Sequence, residues 1–113
     1  GGAPIRPQVM ALRRNPKIII ATPGRLLDHM EQRNISLTKV TFLVLDEADR
    51  MLDMGFLPSI KKIIAAVPAE RQTLLFSATL SPEILTIATK AMKLPLQIEI
   101  LRGGKAPVGV LIW

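Results

Sequence analysis

Phe42-Leu43-Val44-Leu45-Asp46-Glu47-Ala48-Asp49 puts four apolar residues directly before two adjacent carboxylates. The apolar half does not alternate with polar residues, which is the pattern of a strand covered on both faces. Two further runs behave alike. Ile18-Ile19-Ile20-Ala21 stops at Thr22-Pro23-Gly24, and Thr73-Leu74-Leu75-Phe76 stops at Ser77-Ala78-Thr79. Leu96 to Ile100 is a weaker fourth candidate. Helix-period stretches lie between these runs. The chain is therefore expected to be α/β, a three-layer parallel sheet flanked by helices.

The helices announce themselves by their starts. Thr22 is placed to cap a helix opening at Pro23, with Leu26, Leu27 and Met30 on one face. Pro58 opens a segment in which Ile60, Ile63, Ile64 and Val67 recur at i, i+3, i+4, i+7. Ser81-Pro82 opens another, with Ile84, Ile87, Ala88 and Ala91 at the same spacing and Lys90 and Lys93 at its negative end. A short helix is expected over Pro7 to Arg13, and Gly55 is expected to end the helix after Asp49. Residues 101–113, with their Gly and Pro content and an apolar end at Val110-Leu111-Ile112-Trp113, read as an irregular tail.

Composition narrows the chemistry. The 113 residues are 49% hydrophobic and suit one small domain. With no cysteine and one histidine, thiolate and histidine-cluster metal sites are excluded. His29, between Asp28 and Glu31, reads as a solvated surface residue, and Lys61-Lys62 as the wet face of a helix. There is no 18-residue apolar run and no signal peptide, so the expected setting is cytoplasmic with no membrane partner. The net charge of +6 favours polyanions. Three Phe and one Trp provide no base-stacking platform.

In open α/β sheets, ligands bind beyond the carboxyl ends of the strands, and all three strong runs end in polar residues. An apolar strand followed by Asp-Glu is the Walker B pattern. The first carboxylate can hold a hydrated Mg²⁺ and the second can orient an attacking water. The same letters also suit an ordinary strand exit, with acids favouring the next helix N-terminus. Thr22-Pro23-Gly24-Arg25 offers helix N–H groups, a side-chain-free approach and a guanidinium, which together suit a phosphate. It reads equally as a plain capped helix with a solvated Arg. Ser77-Ala78-Thr79 reads in isolation as backbone-capping hydroxyls, unless Asp49 lies one strand away to accept from both.

The longer string Val44-Leu45-Asp46-Glu47-Ala48-Asp49-Arg50-Met51-Leu52-Asp53-Met54-Gly55-Phe56 resembles motif II of the DEAD-box RNA helicases and its continuation. Gly1-Gly2 resembles that family's GG element, Ala21-Thr22-Pro23-Gly24-Arg25-Leu26 its motif Ib, and Ser77-Ala78-Thr79 its motif III. The resemblance covers about residues 1–100. It implies the later portion of the first RecA-like (P-loop NTPase) domain, without its N-terminal βα units. It also implies roles: Asp46 on Mg²⁺ through water, Glu47 on the hydrolytic water, Asp49 linked to Ser77 and Thr79. Thr22, Pro23, Gly24 and Arg25, with Gly1 and Gly2 nearby, would meet the RNA backbone without reading bases.

The phosphate-binding pattern G-x-x-x-x-G-K-[ST] does not occur. Gly103-Gly104-Lys105 precedes Ala106, and Glu99 stands where the first Gly is required. The resemblance places the adenine-reading motif, motif Ia and a second RecA-like domain outside these residues. ATP and Mg²⁺ are thus cofactors of a larger parent enzyme, with tight binding by this chain not expected. The 113 residues alone are expected to be inactive. Strand edges left open by missing neighbours invite self-association, and a stand-alone RNA-backbone-binding or self-associating module is the alternative reading.

Overall fold

The computed structural model describes residues 4–92, 96–100 and 108–112. In chain order the elements are α1 (Ile5–Leu12), α2 (Pro23–Glu31), β1 (Phe42–Leu45), α3 (Ala48–Asp53), α4 (Leu57–Ala66), β2 (Gln72–Ser77), α5 (Pro82–Ala91), β3 (Leu96–Ile100) and β4 (Val108–Ile112). The four strands form one sheet in the order β1-β2-β4-β3. β1 and β2 run parallel, with Phe42 opposite Gln72 and Leu45 opposite Leu75. α3 and α4 make the crossover that a parallel pair requires.

The helical periods resolve as expected. Ile84, Ile87, Ala88 and Ala91 of α5 are all buried, as are Ile60 and Ile63 of α4. With Leu45, Ala48, Leu75 and Met92 most of these form the main core, which α3, α4 and α5 build on one face of the sheet. A second cluster of Leu37, Ile63 and Val67 receives Leu26, Leu27 and Met30 of α2. Lys61 and Lys62 are exposed. The Lys90 ammonium on α5 lowers the pKa of Lys61, first by charge repulsion, so the wet faces of α4 and α5 meet there.

Helix ends follow local chemistry. The Ser81 hydroxyl accepts from the Ile84 N–H at 3.4 Å at the start of α5. After α3, Gly55 takes φ +80°, and the Gly55 and Phe56 N–H groups return to the Leu52 and Met51 carbonyls. That double bond closes the helix, and Gly carries the left-handed residue without a Cβ clash. Phe56 then turns onto the core. α2 ends with the same bonding pattern, Arg33 to Met30 and Asn34 to His29, with Arg33 at φ 57°.

The α/β arrangement with its parallel β1–β2 pair is present, and four details differ from expectation. Ile18-Ile19-Ile20-Ala21 is not a strand: Ile18 is 80% and Ile20 96% exposed. The run has strand propensity, but nothing described here pairs with it, and propensity without a partner does not make a strand. The opposite face of β1 is open, Phe42 being 63% and Val44 51% exposed, so the cover expected on both faces is missing from that face of β1. Residues 108–112, read as part of an irregular tail, form β4, antiparallel to both β2 and β3. The sheet is therefore mixed. Last, Thr22 holds the cap position of α2, yet its side chain makes no capping bond.

Arg71 ties the core's open end. Its guanidinium donates to the Thr73 hydroxyl at 3.0 Å, the Pro68 carbonyl at 2.8 Å and the Ala91 carbonyl at 2.8 Å. Partial burial pushes its pKa down, yet an arginine remains charged. It thereby satisfies a carbonyl at the end of α5 that the helix itself leaves unpaired.

Leu75 is wholly buried at the centre of this core. Leu75→Ala should cost about 2–5 kcal/mol, the range for truncating a core leucine. Urea unfolding followed by circular dichroism measures it, and a cost under about 1 kcal/mol would place the core elsewhere.

Candidate nucleotide and RNA sites

Parallel pairing brings the ends of β1 and β2 side by side. Asp46 and Glu47 follow β1 directly, and Ser77, Ala78 and Thr79 end or follow β2. Between them lies an open cleft of about 540 Å³, lined by Asp46, Glu47, Asp49, Asp53, Phe76 and Ser77 among others. It is acidic on the β1 side.

Asp46 is exposed, and one carboxylate oxygen accepts the Glu47 N–H at 2.9 Å. The other oxygen remains open to the cleft. No cluster of three or more acidic or histidine side chains that could cage a metal exists among the described residues. The Asp46 carboxylate is a hard oxygen donor, the ligand type by which Mg²⁺ is held together with several waters.

Glu47 stands in left-handed backbone, φ 52° and ψ 47°, at the cap of α3. A non-glycine residue there costs on the order of 1–2 kcal/mol. Such strain concentrates at functional sites, because it aims a side chain where a relaxed turn would not. The Glu47 carboxylate reaches Arg50 at 3.4 Å, but both side chains are largely exposed, so water and salt screen the pair.

Asp49 uses one oxygen on the Arg50 N–H at 3.0 Å and the other on the Thr79 hydroxyl at 3.4 Å. This bridge spans the two strand ends. The expected second bond, from Ser77, is not made. The Ser77 hydroxyl is buried, at 2% residue exposure, and has no hydrogen-bond partner among the described residues. Asp49 thus joins one of the two hydroxyls.

Thr22, Gly24 and Arg25 sit elsewhere. Thr22 and Arg25 line a hollow of about 370 Å³ with Ile18, Ile20, Gln8 and His29, which shares no lining residue with the acidic cleft. Pro23 is buried at the first turn of α2, and Thr22 is exposed beside it. A Cβ added at Gly24 would meet nothing within 4 Å, so packing does not demand glycine there and the surface above it is open. Gly1 and Gly2 lie outside the described residues.

His29 corrects its sequence reading as a surface residue. It is 5% exposed, and its Nε2 lies 2.8 Å from the Gln8 amide oxygen. The Asn34 amide donates to Nδ1 at 3.2 Å. The neutral tautomer that satisfies both carries its proton on Nε2. His29 therefore pins α1 to α2. Its flanking charges pointed outward, and nothing local signalled Gln8, 21 residues away.

The match to known proteins is consistent across sequence and structure. The family model for DEAD/DEAH box helicases matches residues 1–87. The DEAD-box ATP-dependent RNA helicase 30 of Arabidopsis thaliana is 55% identical over 95 residues, 84% of this chain and 16% of that protein. The DEAD-box ATP-dependent RNA helicase CshA of Bacillus subtilis is 50% identical over 100 residues, 88% of this chain and 20% of that protein. The crystal structure of a DEAD box protein from the hyperthermophile Methanococcus jannaschii superposes with a TM-score of 0.76 at 47% identity, covering 81% of this chain and 25% of that one. The yeast DEAD-box splicing factor Prp28 gives 0.77 at 38% identity, covering 82% and 22%. The chain spans about a sixth of the length of the first of the curated relatives.

The orphaned hydroxyl makes a stability prediction. Ser77→Ala removes a buried polar atom with no partner, so it should be neutral or stabilising by about 1–2 kcal/mol. Thermal unfolding reads it. A loss above about 1 kcal/mol would mean that the hydroxyl is bonded in solution.

Proposed function

The chain belongs to the DEAD/DEAH box helicase family, and from that premise we propose that it is part of an ATP-dependent RNA helicase, carrying the magnesium and water carboxylates, the coupling hydroxyl and part of the RNA grip. The observation that carries this reading is the Asp49–Thr79 bond across the ends of β1 and β2. It links the acidic run to the Ser-Ala-Thr run in space, as two parts of one machine must be.

Bound Mg²⁺ would supply charge neutralisation at the transferring phosphate. Asp46 would hold it through water, with its free oxygen on the cleft side. Glu47, aimed by its left-handed backbone, would orient the attacking water and accept its proton. Asp49 would sense the state of that site and pass it to Thr79 by hydrogen bond. Ser77, already buried beside them, has a hydroxyl free to join when the cleft is occupied. The RNA backbone would lie over Thr22, Gly24 and Arg25, where free N–H groups, an open surface and a guanidinium face one phosphate. No base edge is read by such contacts, so binding is sequence-independent.

Alone, these 113 residues hold no G-x-x-x-x-G-K-[ST] loop, and phosphoryl transfer depends on positioning above all. The isolated chain is therefore an RNA-backbone binder without ATPase turnover. A second reading, self-association through strand edges, is favoured by the exposed Phe42 and Val44 on the edge strand β1.

RNA titrations at two salt concentrations test the first reading. Affinity should fall as salt rises, and Arg25→Gln should reduce the slope of log K against log salt by about 0.7 for a single strand. Gly24→Ala should leave the melting temperature within a few degrees, because its Cβ meets nothing, yet weaken RNA binding. RNA-stimulated ATP hydrolysis by the purified 113 residues would contradict the expected inactivity. Salt-insensitive binding would remove the phosphate grip.

A further inference from the structure

The β3–β4 hairpin makes the antiparallel half of the sheet. The family model stops at residue 87, and the hairpin lies beyond it. Its attachment is a ladder between β4 and β2, Leu74 opposite Ile112 through Ser77 opposite Gly109. This ladder runs antiparallel, whereas β1 meets the other side of β2 in parallel. Four residues, Met92-Lys93-Leu94-Pro95, separate α5 from the hairpin in sequence.

Both ladder segments lack charge. Thr73-Leu74-Leu75-Phe76 and Val108-Gly109-Val110-Leu111-Ile112 contain no Lys, Arg, Asp, Glu or Pro to oppose pairing with another chain. A bare β2 edge will thus take up an apolar strand of matching length. The strand known to match it is β4, and every copy of the chain carries one.

We propose that the hairpin is an exchangeable arm: β4 seats on β2 of its own chain, or on β2 of a second copy in a strand-swapped dimer. The two seatings contain the same hydrogen bonds. They differ in how the chain passes from α5 to the hairpin and in the entropy of association, so concentration decides between them. A short joint favours the exchange. This surface is distinct from the open β1 edge, so association through Phe42 and Val44 is a separate event with a separate readout.

The chain contains no cysteine, so introduced thiols report cleanly. Leu74 and Ile112 are directly opposite, and opposite antiparallel positions lie within disulfide reach. Single variants Leu74→Cys and Ile112→Cys are mixed at high concentration, diluted and oxidised mildly. A heterodisulfide between them forms only when β4 of one copy sits on β2 of another. The double variant, oxidised when dilute, locks the arm on its own chain. The proposal expects the heterodisulfide, with a yield that rises with protein concentration. It also expects the locked monomer to dimerise at least ~10-fold more weakly by sedimentation and to recover on reduction. No dimer at any concentration would overturn it. So would a locked chain that dimerises as readily as the unlocked one, which would put the interface at β1 instead.

Discussion

The register between β1 and β2 governs what this molecule can do. With Leu45 opposite Leu75, β1 ends two residues before β2, which runs on to Ser77, and the residues after each strand meet across one short gap. Shifting that pairing by one residue would put Leu45 and Leu75 on opposite faces and part the site residues that now meet. The burial of Leu75 against Ile84 and Ile60 therefore fixes Asp49 near Thr79 without any residue of the site contributing to it. The stable core and the exposed cleft are one construction, the first setting the geometry of the second.

The cleft itself is built against stability. Glu47 sits in left-handed backbone, Ser77 keeps an unsatisfied hydroxyl in the interior, and the acids of the β1 end crowd one side. Each would be improved by a blander residue. Their coincidence at one end of the sheet is the clustering of strain and unsatisfied groups that marks functional sites.

Much of this was legible in the letters. The periods of α4 and α5 marked their buried faces residue by residue, because a helix against a sheet must present one stripe. The acidic run and the Ser-Ala-Thr run were readable because strand ends are where such chemistry collects. What escaped depended on partners distant in sequence. Ile18–Ala21 looks like a strand but lacks a neighbour. Val108–Ile112 looked like a tail because its Gly and the residues before it suggested irregularity, and its partner β2 lies some 30 residues back. His29 looked wet because Asp28 and Glu31 are wet, while its ring reaches Gln8. Local pattern gives faces and ends; pairing across the chain requires coordinates.

Arg71 carries a kinetic meaning as well as a structural one. Its bond to the Ala91 carbonyl closes a span of 20 residues and requires the whole of α5 to be in place first. Contacts made only after the barrier to folding has been crossed belong to the native state and not to the transition state. They change how quickly the native state comes apart more than how quickly it assembles. In this small sheet, one guanidinium at the end of a helix thus acts on the lifetime of the fold, a quantity separate from its depth.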